Sequence, residues 1–169
     1  MKQDVVYFAH GKESGPLGTK ITYLAEIARK HSCQVESPDY SSTMDADQRV
    51  KMLLALKPKA KRHLILVGSS MGGYVSTVAS SVLKPSGLFL MAPAFYIPGY
   101  KEQSPKPDAR NIAIVHGTND TVVPLDNSVR FAREHHVALH IMESDHRLTD
   151  VLSEIGQLFS VFLERTLQD

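Results

Sequence analysis

The chain has one cysteine, Cys33, so an internal disulfide is excluded and a reducing compartment fits. Without a CxxC companion, that thiol reads as structural. No apolar run reaches the length of a membrane span. The start, MKQDVVYFAHG, passes at once into a strand pattern, with no charged leader, long apolar segment or small-residue cleavage site; a cytoplasmic location is the expectation. Charge of one sign is also missing, since the net charge is +1. The short cluster Lys57, Lys59, Lys61 and Arg62 reads as a solvated loop, which argues against a nucleic-acid or anionic-membrane partner. Neither GxGxxG nor GxxxxGK[ST] occurs, so the Gly-rich stretch after the first strand is no phosphate cradle. There is no internal repeat and no linker, and 169 residues suit one domain over residues 1–169.

What is present is organised around Leu64 to Val82. Leu64 to Val67 form a short continuous apolar run, the pattern of a strand buried on both faces. From Met71 the period changes: Met71, Tyr74, Val75, Val78, Ala79 and Val82 share one helical face. Between them, Gly68-Ser69-Ser70-Met71-Gly72 matches G-x-S-x-G. The glycines allow a sharp strand-to-helix bend that raises the Ser70 hydroxyl above the sheet edge, where the new helix points its free N–H groups.

Around this centre, strands are expected at Val5 to Ala9, Gln34 to Ser37, Gly87 to Ala92, Asn111 to Val115 and Ala138 to Met142. Helices are expected along Ile21 to Ala28, from Ala46 to Leu54 with a cap from Ser41-Ser42-Thr43, over Ser128 to His135, and from Leu148 to Leu163. Residues 93 to 111, rich in proline, read as a loop or minimal lid. The alternation predicts a three-layer α/β/α sandwich with a mainly parallel sheet of about six strands. In such sheets chemistry gathers at the carboxyl ends of the strands.

That rule sorts the eight histidines. Only His10, His116 and His146 fall at carboxyl edges. His10 and His116 each precede a glycine and close a strand, which fits a ring bonded to nearby backbone. His146 follows the last strand in a polar loop and is the best base for Ser70. Asp120, in HGTNDTVVP, is the best acid to hold that base; its alternative role is to close an Asx-turn. Asp145 competes, but neighbouring side chains in an extended loop diverge. Oxyanion donors are expected at the backbone N–H groups of Met71 and Lys12. Tyr40, Phe95 and Tyr96, in loops after strands, are candidates for a shallow acyl site, with packing as their alternative.

The GSSMGG elbow, the HG loop after the first strand, the HGTND loop and the DHR loop, in the order Ser, Asp, His, together resemble the α/β-hydrolase superfamily. The chain is similar to its compact, nearly capless bacterial members, broadly esterases. The resemblance implies a Ser70, Asp120, His146 triad that needs no metal or organic cofactor and acts on a small-molecule acyl substrate. It departs from the pattern in lacking an antiparallel N-terminal hairpin and a large cap. The expected function is hydrolysis of a small carboxylic ester or thioester through an acyl-enzyme on Ser70. The alternatives are a non-catalytic binding protein on the same fold, or a peptidase or acyltransferase using the same residues.

Overall fold

A computed structural model describes residues 4–168; the extreme ends of the expected 1–169 domain, including the first residues of the MKQDVVYFAHG stretch, lie outside the described residues. The chain order is β1 (Asp4–Ala9), α1 (Thr19–Lys30), β2 (Gln34–Glu36), α2 (Ala46–Ala55), β3 (His63–Ser69), α3 (Met71–Leu83), β4 (Gly87–Met91), β5 (Asn111–Gly117), α4 (Leu125–His135), β6 (Ala138–Met142) and α5 (Leu152–Leu167). The strands form one six-stranded sheet, ordered β2-β1-β3-β4-β5-β6, and every pair is parallel.

Strand order reverses between β1 and β3. The chain steps outward from β1 to β2, then returns past β1 to β3, and the covering helices change face as a single crossover hand requires. On one face, Ile21, Leu24 and Ala28 of α1 and Ile155, Phe159 and Phe162 of α5 pack on Val6, Phe8, Ile65, Val67 and Phe89. On the other, α2 and α3 pack through Val50, Leu53, Tyr74 and Val75, while Phe131 of α4 meets Leu64, Leu66, Leu88 and Leu90. The side chains of β3 thus alternate between two oily layers, which is why the run from Leu64 to Val67 has no polar residue. Crevices at such a reversal, beyond the strands' carboxyl ends, are where ligands bind in open α/β sheets.

Several boundaries differ from the sequence expectations. The cap of α2 is Asp45, whose carboxylate accepts the Asp47 and Gln48 amides, while Thr43 serves as acceptor for the Asp45 amide one step earlier. Helix α4 begins at Leu125, straight after Pro124, rather than at Ser128, because its first turn carries polar residues that hide the period. Val82 is exposed, although it sits on the periodic face of α3. Helix α3 is instead buried on much of its circumference, including Ser76, Thr77 and Ser80, since α2 and the 93–110 segment both lie against it. Leu148 and Val151 precede α5 instead of opening it: Leu148 is fully buried at φ 59° and plugs a loop into the core. The proline-rich segment forms no helix or strand and is tied down along α2 and α3, where the Tyr74 hydroxyl donates to Asp47 and accepts from the Glu102 amide. Cys33 is buried, and burial pushes its thiol up to about 11, as expected of an inert structural cysteine. No helix among the described residues is long and apolar enough to cross a membrane.

Candidate active site

Ser70 stands between the end of β3 and the first turn of α3, at φ 54° and ψ −117°. A non-glycine residue with that backbone is strained by an order of 1–3 kcal/mol and persists only when its surroundings enforce it. They do so here by close packing of glycine. A Cβ on Gly68 would lie 2.2 Å from the Gly72 carbonyl oxygen, and one on Gly72 would lie 1.9 Å from that of Ala9. The Ser70 amide donates to Met91 O, and Ser70 O accepts from the Gly73 and Ala94 amides, so both sides of the bend are fixed.

Asp120 follows β5 and His146 follows β6. Their loops interlock: the Thr118 amide donates to Met142 O and the Asn119 amide to Ser144 O. Gly117 permits this approach, since a Cβ there would fall 2.3 Å from Ser144 O. Beyond His146, Leu148 is sunk in the core and Lys20 of α1 donates to Arg147 O at 2.8 Å, so the histidine loop is held from both sides.

These constraints bring three expected residues together. His146 Nε2 lies 2.9 Å from Ser70 Oγ, and its Nδ1 lies 2.6 Å from Asp120 Oδ2. A carboxylate only accepts, so Nδ1 carries the proton and Nε2 is left to accept from the serine hydroxyl. The imidazole is one-fifth exposed and the Asp120 carboxylate is fully buried. Asp145 is turned away: its Oδ1 accepts the Arg147 amide at 2.8 Å and the Leu148 amide at 3.3 Å.

Asp120 also closes the Asx-turn that sequence offered as its alternative role. Its Oδ1 accepts the Val122 and Val123 amides, both at 2.8 Å, while Oδ2 serves His146. A further donor, not foreseen, is His116 Nε2 at 3.0 Å from Oδ2 and 3.0 Å from Val123 O. Both of those atoms accept, so His116 carries its proton on Nε2, and Nδ1 takes the Ser128 hydroxyl at 2.7 Å. Burial lowers the His116 pKa and keeps the ring neutral. For Asp120, burial pushes the carboxyl up, but the His146 hydrogen bond and the Val123 and Val122 amides outweigh it and hold the pKa below its ordinary value.

The other expected residues fall in different places. Met71 is the first residue of α3, directly after Ser70, and Lys12 lies on the exposed loop after β1. The preceding residue, Gly11, abuts the serine, with a Cβ there falling 3.6 Å from Ser70 Cβ. Among the described residues, neither the Lys12 nor the Met71 amide donates to a backbone carbonyl outside the helices and strands. Phe95 and Tyr96 are not brought to this centre. Phe95 is buried and stacked on Phe131 at 4.0 Å, and Tyr96 lies under Arg130 with its hydroxyl on Glu134, so both fasten the segment after β4 to α4. Tyr40 is buried too, its ring 5.5 Å from that of His10 beneath the β1 loop. The packing alternative therefore describes all three. A groove of about 750 Å³ runs between α5 and the β5–β6 edge and contains none of Ser70, Asp120 or His146.

Residues 5–109, from β1 through Ser70 and past β4, match the model of an uncharacterised protein family, UPF0227. The chain belongs to this family. No curated protein matches it. Among solved structures, this UPF0227 member is similar to a protein from Xanthomonas campestris pv. campestris, provisionally described as a hydrolase of the α/β superfamily, at 28% identity and a TM-score of 0.87, covering 96% of this chain and 99% of that one. Est1E from Butyrivibrio proteoclasticus aligns at 16% identity and TM-score 0.85 over 98% and 89% of the two chains. A second Xanthomonas campestris protein, described as an α/β serine hydrolase without a lid, aligns at 19% identity and TM-score 0.71 over 100% and 85%. At such identities the last two speak for the fold alone. Together with the parallel sheet, these likenesses establish that UPF0227 in this chain has the α/β-hydrolase fold.

Proposed function

We propose that the protein is a serine hydrolase that cleaves a small carboxylic ester or thioester through an acyl-enzyme on Ser70. The observation that carries this reading is the unbroken hydrogen-bond chain from Ser70 Oγ through His146 to the buried Asp120, assembled at the carboxyl ends of three parallel strands.

In the first half-reaction, Ser70 Oγ forms a bond to the substrate carbonyl carbon as His146 Nε2 takes the hydroxyl proton. The carbonyl π pair moves onto oxygen, and that oxyanion is received by the N–H groups of Met71 and Lys12. Collapse of the tetrahedral adduct breaks the bond to the leaving oxygen or sulfur, which takes the proton back from His146. Water then repeats the sequence on the acyl-enzyme, releasing the acid and restoring the Ser70 hydroxyl. Asp120 keeps the proton of His146 on Nδ1 and stabilises the imidazolium that forms in each half. Because the segment after β4 is fastened along α2, α3 and α4 instead of forming a cap, small or exposed acyl groups are the fitting substrates.

The test is hydrolysis of a short-chain p-nitrophenyl ester by wild type and Ser70→Ala. Turnover that falls by about 10⁴-fold or more in the variant supports the reading. Near-native turnover in the variant would sink it.

A further inference from the structure

Arg49 lies on the core-facing stripe of α2, among Ala46, Val50 and Leu53, and is 1% exposed. All of its hydrogen bonds run to backbone carbonyls. Nε donates to Thr43 O at 2.9 Å, Nη1 to His10 O at 3.3 Å and Gly11 O at 3.0 Å, and Nη2 to Lys12 O at 3.3 Å. Among the described residues, no carboxylate lies within ion-pair distance of the guanidinium. Burying a cation without a counter-charge is costly, and a neutral side chain would fasten a loop at less expense. The charge therefore calls for a use beyond attachment.

Three consecutive peptide units after β1 aim their oxygens at this guanidinium. Each unit is planar and trans, so the N–H groups of Gly11, Lys12 and Glu13 are directed away from Arg49. Gly11 itself lies close to the serine: a Cβ there would fall 3.3 Å from Ser14 Oγ, 3.6 Å from Ser70 Cβ and 3.7 Å from Ser69 O. The Gly11 carbonyl has a second donor in His10 Nδ1 at 2.8 Å. The tautomer is fixed, because His10 Nε2 accepts the Tyr40 amide at 2.9 Å. One amide thus takes two donors on its oxygen, one of them cationic, while its N–H is that of Lys12. Donors on a carbonyl polarise the whole amide and strengthen its N–H as a donor.

We infer that Arg49, with His10 as its partner on the Gly11 carbonyl, is a positioning residue that sets and polarises the Lys12 amide to receive the oxyanion formed at Ser70. This rests on the reading of Ser70 as the acyl-transfer nucleophile. The cationic head acts through one peptide unit, so its field reaches the oxyanion in the transition state and has little hold on the neutral ground-state ester.

The experiment is steady-state kinetics on a short-chain p-nitrophenyl ester, with inhibition by a small alkylboronic acid that becomes a tetrahedral anion on the serine, for wild type, Ser70→Ala, Arg49→Met and Arg49→Lys. Arg49→Met is expected to lower kcat by about 10²-fold, the order seen when one oxyanion donor is lost, with KM within about threefold and boronate affinity falling in step with kcat/KM. Arg49→Lys is expected to lose roughly tenfold, since a single ammonium cannot hold three peptide oxygens in a row. If Arg49→Met fails to fold by circular dichroism, Arg49→Lys decides by the same kcat and boronate readouts. A merely structural Arg49 would lower the melting temperature but leave kcat and boronate affinity within threefold of wild type when assayed well below it. That result, beside a wild type whose turnover depends on Ser70, overturns the role of Arg49 and leaves the hydrolase reading standing. A wild type without Ser70-dependent turnover overturns both.

Discussion

Asp120→Asn is isosteric, and its effect can be worked from the partners of the two carboxylate oxygens. Oδ1 holds the Val122 and Val123 amides, and Oδ2 holds His146 Nδ1 and His116 Nε2. An asparagine has one oxygen to place. If its NH2 turned toward the two amides, the exposed Val122 amide and the part-buried Val123 amide would both lose their acceptor, the latter at about 1–3 kcal/mol. The oxygen therefore stays with Val122 and Val123, and the NH2 faces the two histidines. His146 must then present a bare Nδ1 and carry its proton on Nε2, the tautomer that cannot accept from Ser70. The expected loss in kcat is about 10⁴-fold, or about 5 kcal/mol of transition-state stabilisation. His116 loses one of the two acceptors of its Nε2 proton and keeps Val123 O, which adds a stability cost of about 0.5–1.5 kcal/mol. Initial rates on a short-chain ester measure the first effect, and urea denaturation measures the second. A folded Asp120→Asn variant with a rate within tenfold of wild type would show that Asp120 does not set the His146 tautomer.

The same carboxylate gives a pH dependence with a definite sign. The folded Asp120 pKa lies below its ordinary value, so its contribution to stability is present above the unfolded carboxyl value, about 3.9, and is lost as pH falls through the folded value. The stability gap between wild type and Asp120→Asn should therefore narrow in urea titrations carried from pH 6 to pH 3, and a constant gap would contradict it. Gly117→Ala would press a methyl to 2.3 Å from Ser144 O and shift the His146 loop. It should cost about 1–3 kcal/mol in thermal melts and lower kcat, whereas Gly15→Ala, with nothing within 4 Å of its Cβ, should leave both near wild type.

The parts of this site that were legible in sequence are those where local pattern and chemistry coincide. The apolar run before Gly68 and the period beginning at Met71 define the bend at Ser70, because a doubly buried strand and a helix leave different spacings. The edge rule then separates His146 from the other histidines, since parallel strands share one carboxyl edge. Periodicity misled where a residue is buried for another reason. Leu148 fits the spacing of α5 but is a plug that anchors the histidine loop, and Val82 fits α3 but faces outward. Long-range partners leave no local trace: nothing in HGTND states that His116 will share Asp120 with His146 across two loops. Arg49 did leave a signal. It is a charge at a core position of α2, three residues after Ala46 and one before Val50, where a helix has no apolar reason to keep one. Aromatic residues after strands were ambiguous, because loops that must be pinned and pockets that must be lined use the same side chains.

The whole reading of the site turns on Ser70 being an activated nucleophile. The most direct measurement is treatment of the folded protein with a fluorophosphonate, followed by peptide mass spectrometry, with Ser70→Ala alongside. One adduct is expected, on Ser70, and it should disappear in the variant. Well-folded wild type that takes up no label, or a label that persists at another residue in Ser70→Ala, would contradict it.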